Sequence, residues 1–272
     1  MKKLLSIILC FTLILSLSVT AFAADNSNVT EDAMKESLLE RGYPHLYLEH
    51  ASYSVIKSIY EKPYLEFDSA TIVTYNEDTG EFHDYEISNE GIMPYGQIPT
   101  ADLSLTWAVN KNTTSGSEYL VTYSYDWKNL PFFRWQDPIA ISWDSSKFEM
   151  KDDSFYKVDM YDGFISVNGY LQSFTGEIKS EEDGYASAFN AGVTWYADLV
   201  GHLGVTATKL YGHGEFVLRK LVSTTGSTTL YGKYVHPTAS ASLSINIGDY
   251  GSFSVSGGSN YDERGNQRTF SY

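Results

Sequence analysis

The spacing of apolar residues divides the chain into a helical beginning and a longer β part. Within 25–63, Met34 and Leu38 are four residues apart, and a second set of apolar residues at spacings of three, four and seven continues to Tyr60. Such spacings place side chains on one face of a helix. The segment ERGYP at 40–44 ends the first helix, because glycine takes the left-handed cap and proline cannot continue the helix. We therefore expect a helical hairpin over 25–63.

From residue 64 onward the period changes to two, which predicts strands. In ADLSLTWAVN, Leu103, Leu105 and Trp107 share one face, and small or polar residues occupy the other. Similar segments follow at intervals of roughly 8–12 residues, separated by turn signals such as GHG at 212–214. No segment of helical period interrupts them, which disfavours parallel strands joined by helices. The sequence predicts a mainly β fold, a large antiparallel β-sandwich forming a single domain over 64–272, preceded by the short helical hairpin.

Residues 1–24 have the pattern of a secretory signal peptide. Two lysines precede an apolar run over 4–19, and the small-residue segment AFA predicts cleavage after Ala23 or Ala24. The only cysteine, Cys10, lies in this segment, so the mature chain has no thiol and no disulfide. We expect a secreted, extracellular protein, and the leader together with the lack of cysteine is typical of a protein exported by a bacterium.

The balance of charge argues against nucleic acid as a partner. The chain has 19 Lys and Arg against 34 Asp and Glu, a formal net charge of −15. Such a surface repels phosphate backbones and anionic lipid headgroups. Apart from the leader, no apolar run approaches the ~20 residues that a membrane-spanning helix needs. We therefore expect no nucleic-acid partner, and no membrane attachment once the leader is removed.

The stretch WKNLPFFRWQDPIAISWD at 127–144 is dense in aromatic residues. Strand alternation assigns four of the five tryptophans to faces shared with aliphatic residues, and these are predicted to lie in the core: Trp107, Trp127, Trp143 and Trp195. The fifth tryptophan, Trp135, lies between two prolines and cannot belong to a regular strand. Its segment therefore needs a separate interpretation.

This proline-bounded loop supplies the candidate contact residues for a ligand, which are Phe132, Phe133, Arg134 and Trp135. A loop with so much apolar surface either folds back over the sheet as a plug or offers a contact patch. We favour the plug. If the loop is exposed instead, its rings are the part of the chain best suited to stack on a ligand.

Other groupings of reactive residues are weaker candidates. His213 and Glu215 are two residues apart in YGHGEF and would point the same way on a strand, as metal ligands must. Nothing in the spacing dictates a third ligand, so a histidine in a turn flanked by glycines is favoured over a metal site. The mature chain contains no motif of a nucleophilic serine or cysteine. We expect neither a metal nor a cofactor, and the sequence assigns no catalytic residue.

Three functions of different classes follow. The favoured one is a non-catalytic extracellular or cell-envelope-associated binding protein. The sequence does not identify its ligand, for which a glycan of the cell wall or the environment is one candidate. The second is a secreted carbohydrate hydrolase, with Asp137 and Asp144 as its candidate carboxylates. The third is a membrane-active, pore-forming protein in which the serine-rich hairpin over 238–256 inserts into a bilayer, because its small apolar residues and its serines alternate.

Overall fold

The computed structural model describes residues 29–76, 79, 81–88, 91–92, 102–168, 170–182, 187–189, 191–199, 206–239, 242–248 and 250–272. The signal peptide predicted over 1–24 lies outside the described residues, so its cleavage and the export of the chain stay predictions.

Three short helices open the described part of the chain: α1 (Glu31–Glu40), α2 (His45–His50) and α3 (Tyr53–Tyr60). Thr30 caps α1, since its hydroxyl accepts a hydrogen bond from the Ala33 N–H at 3.3 Å. Gly42, with a φ of +87°, follows the end of α1 as predicted. The second predicted helix is divided into α2 and α3, because Ala51 and Ser52 adopt extended backbone conformations between them.

Sixteen strands follow within the described residues. They are β1 (Leu65–Asn76), β2 (Glu81–Ser88), β3 (Gly91–Ile92), β4 (Leu103–Asn112), β5 (Glu118–Trp127), β6 (Gln136–Ser142), β7 (Phe148–Met150), β8 (Tyr156–Val167), β9 (Tyr170–Glu182), β10 (Ser187–Phe189), β11 (Gly192–Asp198), β12 (Thr206–Lys220), β13 (Ser227–Pro237), β14 (Ser244–Ile247), β15 (Phe253–Ser256) and β16 (Tyr261–Ser271). The segment GHG at 212–214 lies inside β12, so its assignment to a turn was wrong.

The strands form two main sheets and one small hairpin. The large sheet has the order β3-β2-β1-β4-β5-β12-β8-β9, with β7 also paired to β12, and the small sheet has the order β10-β11-β6-β13-β16. The strands β14 and β15 pair with each other in a separate two-stranded sheet. Each pairing among the described strands is antiparallel. The prediction of a mainly β, antiparallel fold is confirmed.

The main core lies between the inner faces of the two sheets. The alternating residues of β4 and β5 meet Ile139 and Ile141 of β6 and Val193 of β11 there. The four tryptophans assigned to the core are at most 2% exposed. Their assignment is therefore confirmed, and it follows from period-two alternation over a buried face.

Both outer faces of the sandwich are covered over part of their area. The helices pack on the outer face of the large sheet, where Ile56 and Ile59 share a cluster with Phe67 and Ile72 of β1. On the outer face of the small sheet, the hairpin β14-β15 and the preceding residue, Leu243, form another apolar cluster. The order of layers is thus helices, large sheet, small sheet and hairpin.

Candidate functional site

The predicted loop over 131–138 is shorter in the structure, because β6 begins at Gln136. The remaining part, residues 131–135 between β5 and β6, is called the aromatic loop and exposes its large side chains. Phe132 is 86% exposed and Trp135 is 41% exposed. Arg134 is also exposed, whereas Phe133 is half-buried and meets the Phe132 ring edge to face at a centroid distance of 5.0 Å. The favoured plug is therefore wrong. Its place is taken by Leu130, which packs on the main core, and by the buried Pro131.

Hydrogen bonds hold the chain on both sides of the aromatic loop, to Asp102 just before β4 and to Leu199 just after β11. The Lys128 N–H donates to the Asp102 carbonyl at 2.7 Å, and the Asn129 side-chain amide donates to the Asp102 carboxylate at 2.7 Å. At the other end the Leu199 N–H donates to the Trp135 carbonyl at 3.0 Å. Fixed ends reduce the conformational freedom that the loop would lose on binding, which favours affinity.

The two carboxylates considered for hydrolysis do not form a pair. Asp137 lies near the start of β6 and Asp144 beyond its end, roughly 23 Å apart along an extended strand, whereas a glycosidase holds its carboxylates about 5–10 Å apart. Asp137 is fully buried and accepts hydrogen bonds from the Tyr234 hydroxyl and from His236 Nδ1, the latter at 3.1 Å. A hydrolase built on this pair is excluded.

Burial shifts the pKa of two carboxylates, Asp137 and Asp159. Burial raises the pKa of Asp137, although His236 opposes the shift. Burial also raises the pKa of Asp159, which accepts hydrogen bonds from the Tyr125 hydroxyl at 2.8 Å and from Lys157 Nζ at 2.9 Å. Both carboxylates are at most 1% exposed, so these groups tie strands together rather than meet a substrate. Sequence reasoning named Asp137 only as a candidate for hydrolysis and missed Asp159, and the available signal for their structural role was a polar residue at a core-facing strand position.

A groove of about 470 Å³ lies between α3 and the large sheet, and His213 and Glu215 line it. The hydroxyl oxygen of Ser54, on α3, lies 2.9 Å from His213 Nδ1. Ser58 donates a hydrogen bond to one Glu215 carboxylate oxygen at 2.7 Å, and Lys62 Nζ donates to the other at 2.6 Å. These contacts fasten α3 to β12. They also place His213 in the middle of a strand rather than in the turn that its flanking glycines suggested.

The protonation states in this groove argue against catalysis. Burial lowers the pKa of His213 to about 4, so the ring is neutral and weakly basic at neutral pH. Burial raises the pKa of Glu215, but the charge of Lys62 and the hydrogen bonds from Lys62 and Ser58 oppose this effect, and the pKa is lowered overall. His213 Nε2 is 3.9 Å from the Glu215 carboxylate, too far for the hydrogen bond that an activated serine site requires. Within the described residues no group of three or more His, Cys, Asp or Glu side chains is arranged to hold a metal.

The serine-rich hairpin does not present an apolar face for insertion. Leu243 is 3% exposed and Ile245 is 6% exposed, because both pack against Ala140 and Val235 of the small sheet. In the part of 238–256 that the structure describes, these two residues are therefore not free to contact lipid in this folded state, and the third function stays a hypothesis. Separately, none of the helices that the structure describes is long and apolar enough to cross a membrane.

A different hairpin carries exposed apolar residues. The β8–β9 tip, residues 163–176, includes five large apolar side chains that are between 38% and 76% exposed: Phe164, Val167, Tyr170, Leu171 and Phe174. Sequence reasoning missed this segment. The signal that could have found it is the absence of Asp, Glu, Lys, Arg and His throughout 163–176.

The aromatic loop and the β8–β9 tip lie at the same end of the sandwich. Trp127, the last residue of β5, pairs with Leu210 near the start of β12, and the first residue of β12 pairs with Phe164. The Trp127 ring lies 4.8 Å from that of His236, which contacts Asp137 at the start of β6. Most of the exposed large apolar side chains of the described residues are therefore gathered at this end.

Comparisons with known proteins give only distant structural likenesses. No protein-family model and no curated protein matches the chain. A solved structure described as "Pore forming protein" is similar at a TM-score of 0.33 and 7% identity, over 75% of this chain and 91% of that chain. Two others are "BspA_C_mut" and "Streptococcus agalactiae AgI/II polypeptide BspA C terminal domain (WT)".

Those two structures each have a TM-score of 0.29, with identities of 9% and 7%. Each match covers 62% of this chain and just over half of the other chain, at 54% and 57%. With TM-scores of 0.33 or less, none of these likenesses bears on what this chain binds, and the chain is similar to them only as another protein rich in β-strands.

Proposed function

We propose that this protein is a non-catalytic binding protein that contacts a glycan through the aromatic loop. The observation that carries the proposal is the exposure of Phe132 and Trp135 on a loop that is flanked on one side by hydrogen bonds to Asp102 and held on the other by a hydrogen bond from Leu199. Large aromatic rings exposed on a fixed backbone offer apolar contact area at low entropic cost.

The charge of the molecule supports a neutral glycan over an anionic one. The net charge of −15 repels anionic polymers, and Arg134 is the one charged residue of the aromatic loop. Its guanidinium carries five N–H donors, which can bind sugar hydroxyl oxygens beside the stacked rings. The proposed place of action is outside the cell, on the strength of the signal peptide predicted over 1–24.

The buried ionisable groups support a binding role without catalysis. Asp137 and Asp159 are closed off from solvent, and His213 has a pKa of about 4. A general base that works near neutral pH needs a pKa close to that pH. The described residues therefore offer binding surface more readily than reactive groups.

A glycan array followed by titration calorimetry tests the proposal. Trp135→Ala is expected to weaken binding of the best neutral glycan by about 30-fold, the effect of losing an aromatic contact worth about 2 kcal/mol. Tyr64→Ala is the matched control, since Tyr64 is 44% exposed and precedes β1 at the opposite end of the sandwich. Unchanged affinity in Trp135→Ala, or an array without a bound glycan, contradicts the proposal. Release of free sugar from the glycan would indicate an enzyme instead.

A further inference from the structure

The β8–β9 tip is an exposed apolar element that the proposed glycan contact does not use. It carries no charged residue over 163–176, although 19% of the whole chain is charged. Its two arms remain paired up to Val167 and Tyr170, and Asn168 in the turn has a φ of +53°. The tip is therefore a narrow, uncharged hairpin.

Apolar side chains lie on both faces of the tip. Because side chains alternate along a strand and paired residues share a face, Phe164 and Leu171 lie on one face, and Val167, Tyr170 and Phe174 lie on the other. A protein partner docked against the hairpin would cover one face and leave the other in water. A lipid environment surrounds both faces at once.

The base of the hairpin is fixed to the sheet. Thr175 donates a hydrogen bond to the Asp162 carboxylate at 2.7 Å, and the Tyr211 hydroxyl of β12 donates to the same carboxylate at 3.2 Å. The Tyr161 ring, which is buried in the main core, lies 5.9 Å from the Phe174 ring. The tip is therefore a fixed projection from the sandwich.

The length of the tip decides how deep it can reach. The uncharged arms, 163–168 and 170–176, have at most seven residues each, whereas a strand needs about 9–11 residues to cross a bilayer. From Phe164 to Val167 the strand covers roughly 10 Å. This length matches the depth of about 5–10 Å to which interfacial helices bury their apolar face at the boundary between headgroups and acyl chains.

In place of the expectation of no membrane attachment, we propose that the β8–β9 tip inserts into one leaflet of an uncharged lipid bilayer and holds the protein at the membrane surface without crossing it. The apolar side chains on both faces favour lipid over a flat protein surface. The tip has no charged residue, and the net charge of the whole chain is −15. Both features favour a zwitterionic membrane over an anionic one.

Flotation with phosphatidylcholine vesicles tests this inference. The assay uses the chain from residue 25 onward, which retains the helices and strands that the structure describes and removes the apolar run at 4–19. The wild type is expected to float with the vesicles. Leu171→Asp is expected to reduce the bound fraction at least about tenfold. Leu171 is 76% exposed in the free protein, and lipid would cover its side chain on binding.

Leu221→Asp is the matched control. Leu221 is 49% exposed and follows β12, outside the tip, so this variant is expected to float as the wild type does. Far-ultraviolet circular dichroism verifies that both variants are folded. A wild type that does not bind the vesicles, or equal binding by Leu171→Asp and Leu221→Asp, overturns the inference.

Two further measurements test the depth and the lipid preference. Dye enclosed in the vesicles is expected to stay inside, since the arms are too short to span; release of dye on binding contradicts insertion into one leaflet. Vesicles with added phosphatidylglycerol are expected to bind less protein at low salt than pure phosphatidylcholine does. Stronger binding to the anionic vesicles would contradict the assignment to an uncharged membrane.

Discussion

At the scale of single residues, burial decides what a reactive side chain can do. His213 and Glu215 have the spacing of metal ligands, and both lie on one strand as such a site would require. In the folded protein His213 is 2% exposed and contacts Ser54, while Glu215 is paired with Lys62. Their partners belong to the helical part of the chain, so the pair stabilises the packing of α3.

The depressed pKa of His213 predicts a pH dependence of stability. Its ordinary value is 6.5 and its folded value is about 4, so between these pH values the unfolded chain binds a proton that the folded protein does not. The free energy of unfolding is therefore expected to be highest above pH 6.5 and to fall as the pH is lowered toward 4, by up to about 3 kcal/mol from this group.

Denaturant unfolding of His213→Gln between pH 7 and pH 4 isolates this contribution. Glutamine cannot take up the proton, so the variant is expected to lose less stability over this range than the wild type does. The matched control is His45→Gln, since the His45 side chain is 69% exposed. An equal decrease in the wild type and in His213→Gln would show that His213 is not responsible.

At the scale of elements, Arg41 joins the helices to the first strand. Its guanidinium donates hydrogen bonds to the carbonyl oxygens of Ile59 at 3.3 Å, Lys62 at 3.1 Å and Leu65 at 3.0 Å. The last carbonyl oxygens of a helix have no hydrogen-bond partner within the helix. The Arg41 side chain supplies donors to carbonyl oxygens at and beyond the end of α3 and at the start of β1. The sequence identified Arg41 only as a residue at the end of the first helix.

Arg41→Lys is expected to destabilise the protein, because an ammonium group cannot reach three carbonyl oxygens in the geometry of a guanidinium. The expected loss is about 1.5–3 kcal/mol in the free energy of unfolding, measured by denaturant titration. Arg134→Lys, in the exposed aromatic loop, is the control and is expected to change stability by less than about 0.5 kcal/mol. Similar stability in the two variants would contradict the role assigned to Arg41.

The glycines around His213 show why one turn was assigned wrongly. A Cβ added at Gly214 would lie 2.7 Å from the Trp195 side chain, and one at Gly212 would lie 2.3 Å from the Val158 carbonyl oxygen. In the middle of β12, Gly214 therefore gives space for packing across the sandwich, and Gly212 allows the close approach of the neighbouring strand β8. Their sequence pattern resembles a turn because glycine serves both purposes.

At the scale of the whole molecule, the helices and the large sheet share buried surface. Ile56 is fully buried against residues of α1, β1 and β2, whereas the four buried tryptophans lie in the core between the sheets. The large sheet contributes one face to each cluster. We therefore expect the helices and the sandwich to unfold together.

Ile56→Ala tests this cooperativity. The variant is expected to lower the free energy of unfolding by about 2–5 kcal/mol, the usual effect of removing a buried branched side chain. Tryptophan fluorescence and far-ultraviolet circular dichroism are expected to report the same midpoint. A helical signal that shifts while the tryptophan signal does not would show separate unfolding. Leu39→Ala on α1 is the control, since Leu39 is 41% exposed.

Local patterns in the sequence were sufficient to predict the fold class and the main core. Period-two alternation assigned Trp107, Trp127, Trp143 and Trp195 to buried faces, and Gly42 and Pro44 marked the end of the first helix. These features are local, because side-chain direction depends on the backbone of the same segment.

Which surfaces are free depends on contacts between segments that are far apart in the chain. The exposure of the aromatic loop depends on what already fills the core beneath it, and the exposure of the β8–β9 tip depends on its lying beyond the cover of neighbouring elements. The burial of Leu243 and the pairing of Lys62 with Glu215 join residues far apart in the chain. Periodicity within one segment carries no information about the partner that covers it, so the contact surfaces could be found only in the folded molecule.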